Sequence, residues 1–253
     1  MLSAAFLSQV HPPDERDLLT KTPPLLSLSS LPNFDPRKVA VSGVDSHLPR
    51  VAAALLQPQS LRRRFTSPPQ WQPEVREEPK YAERSPMRAA VLVPVVMRAE
   101  PTILLTERTA HLSTHSGQIA FPGGKSDDGD VDAAATALRE AEEEVGLSHK
   151  FVQVLGTLPV YVTGTSFIIT PVVALVQPGF DLHPNAHEVA DVFEVPFGFL
   201  MDPANHQRHQ MEVNGIQREW YSMPYNQPGQ DQSRFIWGAT AGMLRNLYRF
   251  LAA

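Results

Sequence analysis

Between Phe121 and Leu147 the chain reads FPGGKSDDGDVDAAATALREAEEEVGL, and no other stretch restricts the fold as tightly. From Asp127 to Glu144, eight carboxylates (Asp127, Asp128, Asp130, Asp132, Glu140, Glu142, Glu143 and Glu144) stand against one cation, Arg139, a local balance of −7 in a chain of formal net charge −5. The run AAATALREAEEEV is rich in strong helix formers, and Gly146 stands where a C-terminal cap belongs, so a short helix is predicted there. At about 100° per residue, Glu140, Glu143 and Glu144 fall on one face and Glu142 points away. Three like charges on one face repel unless a cation sits among them, and carboxylate oxygens suit hard divalent ions such as Mg²⁺ and Mn²⁺. An isolated Glu triplet is ordinarily a solvated helix face. The Gly-Gly turn and the acidic loop ahead of this one favour a metal site instead.

The same residues resemble the signature of the Nudix hydrolase family: Gly, a spacer, an acidic residue, a second spacer, then Arg-Glu-apolar-x-Glu-Glu-x-Gly-apolar. Arg139 to Leu147 match its second half in full. Asp130 stands where the family usually has Glu, and the stretch from Asp130 to Arg139 is one residue longer than the common pattern. The extra length falls in a loop, where it is tolerated, and leaves the helical spacing intact. Just upstream, LLTERTAHLSTHSGQIAFPGG is similar to the additional motif of the coenzyme A pyrophosphatase branch. Leu104, Leu105, Thr106, Arg108, Leu112, His115, Gly117, Phe121, Pro122, Gly123 and Gly124 fit it, with Thr109 in place of Ser. The resemblance spans roughly residues 86–253, because EVADVFEVPFGFLMDPAN and IWGATAGMLRNL also look like that branch.

The resemblance implies an α/β/α sandwich, with a central mixed sheet and the Glu-rich helix packed on it. It also implies divalent-metal-dependent hydrolysis. Glu140, Glu143, Glu144 and the Gly123 carbonyl hold Mg²⁺ or Mn²⁺, and Arg139 orients a carboxylate of the cluster as a planar, bidentate fork. The family often draws its general base from a loop beyond the Glu helix, so Glu188 and Asp191 in HEVADVF are the candidates, with Glu188 carried forward. A solvated loop residue is the plain alternative for Glu188. Arg108, His115 and Lys125 are the polar groups nearest the motif, and Arg and Lys are the usual phosphate partners; with Gly117 they form the candidate substrate set. A lone His in a polar loop is more often structural, and His115 enters only through the branch motif. The implied reaction is cleavage of coenzyme A or acyl-CoA into 3′,5′-ADP and 4′-phosphopantetheine or its acyl form. Two other readings stay open. One is a pyrophosphatase for NADH, ADP-ribose or another nucleoside diphosphate derivative. The other is a catalytically silent nucleotide-binding module, which the intact Arg139, Glu140, Glu143 and Glu144 argue against.

Composition narrows the remaining classes. A chain of 253 residues with 42% hydrophobic and 19% charged residues is an ordinary globular protein. Its mild net charge gives no reason to expect nucleic acid or a membrane surface as partner; a small-molecule substrate is expected, and a homodimer is left open. With no Cys, disulfides, thiolate metal sites and Cys nucleophiles are excluded, which fits a reducing compartment. MLSAAFLSQVHPPDERD lacks a basic n-region and breaks its apolar run at Ser8 and Gln9, so a signal peptide is not expected. No window is long and apolar enough for a membrane helix, and a cytoplasmic location is the expectation. No G-x-x-x-x-G-K-[ST] or G-x-S-x-G occurs, which argues against a P-loop NTPase and a serine hydrolase.

Residues 1–86 carry 13 of the 24 Pro and read as a partly ordered arm with one short helix, Asp45 to Leu56, capped by Asp45 or Ser46, before the hydrolase domain at 87–253. The run Arg62-Arg63-Arg64 reads as a solvated linker. AAVLVPVVM, PTILLTER, FVQVLGTLPVYV, FIITPVVALV, DVFEVPF and REWYSMPY read as strands, with Pro94 arguing for an edge or an interruption. FIWGATAGMLRNLYRFL reads as a closing helix whose stripe Ile236, Thr240, Met243, Leu244, Leu247 and Leu251 packs on the core.

Overall fold

A computed structural model describes residues 34–80, 85–109, 117–213, 215–229 and 233–253. In chain order its elements are β1 (Val41–Val44), α1 (Pro58–Thr66), β2 (Met87–Val96), β3 (Thr102–Arg108), β4 (Ile119–Ala120), β5 (Gly123–Lys125), α2 (Ala133–Val145), β6 (Val152–Thr157), β7 (Tyr161–Val162) and β8 (Phe167–Val176). There follow β9 (Val189–Pro196), α3 (Phe197–Leu200), β10 (Gln207–Val213), β11 (Ile216–Tyr225), β12 (Arg234–Trp237) and α4 (Gly238–Ala252). The larger sheet has the order β4-β3-β2-β8-β6, with β5 also paired to β2, β7 to β8 and β9 to β3. Its central pair, β2 and β8, is parallel and the other pairings are antiparallel, so the sheet is mixed. A smaller sheet, β1-β10-β11-β12, is wholly antiparallel.

The central strands are continuous apolar runs because both of their faces are covered. Ala90, Leu92 and Val96 of β2, with Val172, Ala174 and Val176 of β8, pack with Ala137, Ala141 and Val145 of α2. Val93, Val95, Val173 and Leu175 face the opposite way, into the cluster that holds Leu244, Leu247 and Leu251 of α4. This is the α/β/α sandwich.

Pro94 lies in a central strand, not at an edge, and the geometry shows how it is tolerated. The Leu92 N–H donates to the Pro122 carbonyl at 2.8 Å. Side chains and N–H groups repeat every second residue, so the Pro94 nitrogen faces the same flank. That flank is vacated between the β5 pairing (Ala89–Val91) and the β3 pairing (Val95–Val96). Pro171 repeats the device on β8, between the β7 and β6 pairings.

The expected helix from Asp45 to Leu56 is not formed. That stretch is largely irregular, with a 3-10 turn at Ala53–Leu56, and the helix is α1, one step later. Pro58 supplies the start, since its missing N–H costs nothing in a first turn. Asp45, read as a cap, is instead buried in ion pairs with Arg208 (2.6 Å) and Arg245 (2.9 Å). The basic run lies on α1: Arg62 donates to Gln153, and Arg64 to the carbonyls of Leu251 and Ala253 at the end of α4. Residues 34–80 are thus laid against the sandwich, β1 pairing with β10 and Glu74 accepting from Arg245. The closing helix begins at Gly238, and Ile236 belongs to β12, although its side chain enters the same core as α4.

Candidate active site

The site is built where β5 passes under α2. Helix α2 starts because the Asp132 carboxylate accepts from the Ala135 N–H at 2.8 Å. It stops at Gly146, whose N–H still reaches the Glu142 carbonyl at 2.9 Å and whose left-handed φ of 72° turns the next N–H, that of Leu147, back to the Ala141 carbonyl at 3.3 Å. On the strand below, a Cβ added at Gly123 would lie 2.5 Å from the Ala90 carbonyl oxygen, and one at Gly124 would lie 2.5 Å from the Glu140 carboxyl group. The Gly-Gly pair is what lets backbone approach the helix carboxylates this closely.

Arg139 organises the outer half of the site. Its Nε and Nη2 hold Asp130 bidentately at 3.1 and 2.9 Å, while Nη1 donates to Glu140 and Glu143, each at 3.0 Å, and Nη2 also reaches the Lys125 carbonyl. That fork, with the Asp127 N–H and the Thr136 hydroxyl, holds the Asp130 carboxyl far below the usual range and raises Arg139 further. The cation demanded by a shared acidic face is therefore, between Glu140 and Glu143, Arg139 itself. Asp130, the residue that departs from the family pattern, is its bidentate partner.

Glu144 forms the inner half. Its side chain is 6% exposed, and burial pushes its carboxyl up to about 7. The Gly123 N–H at 3.1 Å and Arg108 at 3.8 Å oppose that rise, whereas the nearby charges of Glu188 and Glu140 add to it. Glu140 is raised too, chiefly by burial, with Arg139 opposing and Glu143 and Glu188 adding. Glu188, on the turn before β9, is thus within electrostatic reach of both inner carboxylates. Its side chain accepts from Asn185 at 3.2 Å and its carbonyl from the Thr109 N–H at 3.0 Å. Among the described residues, the buried Nε of Arg108 has no hydrogen-bond partner.

Arg108, Gly123, Glu140, Glu144 and Glu188 are therefore brought together. Glu143 is directed outward, 59% exposed, and Lys125 is exposed, contributing its backbone carbonyl to Arg139. Gly117 sits in a left-handed turn whose N–H returns to the Arg108 carbonyl. His115 lies outside the described residues. Asp191 is held in an ion pair by Arg234 on β12. Glu142 points away, 3.1 Å from His149.

A profile of the NUDIX domain matches residues 86–223, more than half of the chain. A relative from Photorhabdus laumondii, described as an uncharacterized Nudix hydrolase NudL, is 41% identical over 169 residues, covering 67% of this chain and 87% of its own. The chain belongs to the Nudix family. A Yersinia pestis relative with the same description is 40% identical over 167 residues, covering 66% of this chain and 81% of its own. A solved C. elegans Ap4A hydrolase complex aligns at 22% identity with a TM-score of 0.38, covering 47% of this chain and 85% of that one, too distant to carry an argument. As a Nudix hydrolase, the protein acts on nucleoside diphosphate derivatives, and members of the family use divalent metals such as Mg²⁺ or Mn²⁺.

The donor chemistry of this Nudix site fits such an ion. Glu140, partly buried, and Glu144, buried, are hard oxygen donors whose charges act on each other. Among the described residues, no three His, Cys, Asp or Glu side chains gather closely enough as they stand to ligate one ion; Glu143 is occupied by Arg139. No described helix is long and apolar enough to cross a membrane. The residue that motif reading missed is Arg234, which reaches the site strands from β12. Its partners, Glu107 and Asp191, become neighbours only through β3–β9 pairing, so no local spacing announces them.

Proposed function

We propose that this Nudix hydrolase cleaves the pyrophosphate linkage of coenzyme A and acyl-CoA, giving 3′,5′-ADP and 4′-phosphopantetheine or its acyl form. The observation that carries this reading is the contact between Arg108, from the branch motif upstream, and Glu144 of the metal helix, at 3.8 Å. A cation tied to the substrate motif thereby stands beside the acidic cluster, and among the described residues nothing hydrogen-bonds its buried Nε, so the guanidinium is not fully engaged within the protein. Glu140, Glu143, Glu144 and the Gly123 carbonyl are the proposed ligands of Mg²⁺ or Mn²⁺, which when bound would neutralise phosphate charge and acidify a water. Arg139 sets the orientation of Glu140 and Glu143. Glu188 takes the proton of the attacking water as its oxygen bonds to phosphorus and the bridging P–O bond breaks. Arg108 meets the diphosphate, and His115, Gly117 and Lys125 belong to the surface that takes the rest of the nucleotide. The cytoplasm is the proposed location.

The test is a substrate panel with Mg²⁺ and with Mn²⁺, products being identified by mass. Coenzyme A is expected to outrun NADH, ADP-ribose and nucleoside triphosphates. An advantage of about tenfold for ADP-ribose or NADH would refute the coenzyme A assignment and leave the family intact.

A further inference from the structure

Glu107 of β3 and Asp191 of β9 are paired directly across the ladder, an arrangement that like charges make unfavourable. One guanidinium resolves it. Arg234 of β12 donates through Nη1 to Glu107 at 2.6 Å and through Nη2 to Asp191, and its guanidinium carbon lies over the Phe193 ring, 4.3 Å from the centroid. The side chain is 14% exposed, against 34% for Glu107 and 47% for Asp191, so the bridging cation is the best shielded of the three. Immediately beyond this pair the register slips, and Arg108 stands opposite Val189. The Thr109 N–H then closes on the Glu188 carbonyl at 3.0 Å. Such a bulge re-aims side chains, and this one directs Arg108 and Glu188 at the inner carboxylates.

We propose that Arg234 is a positioning residue of the hydrolase, a clamp that fixes the β3–β9 bulge and through it the placement of Arg108 and Glu188. The catalytic consequence rests on the roles given to those two residues under the proposed function. Lys could neutralise the pair but could not fork to both acids while stacked on Phe193. Without the clamp, two facing carboxylates push the ladder apart one residue from Arg108, and a displacement of about 1 Å at a reacting group costs about 10²-fold.

The experiment compares Arg234→Met, Arg234→Lys and the double variant Glu107→Gln/Arg234→Met. It measures amide hydrogen exchange at Thr109 and kinetics on whichever panel substrate the wild type turns over. Arg234→Met is expected to speed exchange at Thr109 and lower kcat/KM by about 10–100-fold, and Arg234→Lys to recover only part of this. Adding Glu107→Gln, which removes the repulsion, should restore both readouts toward wild type. In a Glu188→Gln background, Arg234→Met should cost less than it does in wild type, the remainder being the part that acts through Arg108, since residues acting as a unit are not additive. Unchanged Thr109 exchange in Arg234→Met would overturn the clamp, as would a full catalytic loss that Glu107→Gln leaves unrelieved. If Glu188→Gln alone is as active as wild type, the assignment of the base fails instead, and exchange and the Glu107→Gln rescue still decide the clamp.

Discussion

Burial and charge pull against each other at Glu144, and the proposed divalent ion would resolve the conflict. The carboxyl is pushed up to about 7 by burial, more than the Gly123 N–H and Arg108 can offset, while Glu188 and Glu140 work in the same direction as burial. Glu144→Gln keeps an oxygen for the Gly123 N–H and removes the charge. In the absence of metal, its melting temperature should stay level or rise, and turnover should fall by at least about 10²-fold, the scale of a lost general base. Glu143→Gln gives up one hydrogen bond from Arg139 at an exposed position, so stability should move by no more than about 0.5 kcal/mol. If Glu143 leaves Arg139 to ligate the ion, its activity should collapse as well. Glu142→Gln is the control, on the opposite face against His149, and should behave as wild type. Melting and turnover of the three variants, with and without Mg²⁺, separate the outcomes. An effect at Glu142 equal to those at Glu143 and Glu144 would refute the site.

At the scale of elements, the site depends on how near β5 can pass to α2. Gly124→Ala places a methyl group 2.5 Å from the Glu140 carboxyl, the movable end of a side chain, whereas the atoms nearest a Cβ at Gly123 are backbone. Gly124→Ala should therefore displace Glu140 and cut turnover by about tenfold with little change in melting, and Gly123→Ala should lower the melting temperature itself. Equal stability and equal turnover of Gly124→Ala and wild type would show that Glu140 has room to spare. These elements were legible in the sequence because their determinants are local. Gly146 ends α2, apolar runs mark β2 and β8, and the helical period separates Glu142 from its neighbours. The boundary at residue 45 was misread because Asp45 serves as a cap only if its carboxylate is free, and it is taken by Arg208 and Arg245 from the far end of the chain. Pro94 was misread because an edge is one way to spare an N–H, and a gap between two partner strands is another. Arg234 was invisible for the same reason as Asp45, its meaning being set by pairing.

Over the whole molecule, the two ends of the chain are joined by charge. Arg245 of α4 is fully buried, with Asp45 at 2.9 Å and Glu74 at 2.8 Å, and Glu74 also accepts from Tyr221 and Arg249. Burial works against the Glu74 charge, but the hydrogen bonds from Arg245 and Tyr221 and the charges of Arg245 and Arg249 outweigh it and bring the carboxyl down to about 2. His206, beneath the same guanidinium, is pushed down to about 4 by burial, and the charge of Arg245 adds to this. Its ring is fixed neutral: Nε2–H donates to the Leu200 carbonyl at 2.8 Å, and Nδ1 accepts from Arg245 at 3.2 Å. Both folded values lie below their usual ones, so each group contributes stability at neutral pH and loses it as pH falls. Below about 6.5 the unfolded chain binds a proton that folded His206 refuses until about 4, and below about 4.5 the unfolded chain binds one that folded Glu74 refuses until about 2. The His206 contribution is on the order of 3 kcal/mol, at 1.36 kcal/mol per unit. Unfolding should be measured from pH 8 to pH 4 on wild type and His206→Asn together, because Glu144, raised to about 7, gains stability as pH falls over much of the same window. The stability of wild type relative to His206→Asn should fall across pH 6.5 to 4, whatever the offset between them at pH 8. Parallel profiles for the two proteins between pH 6.5 and 4 would show that the acid sensitivity arises elsewhere and that His206 can take up its proton without leaving the fold.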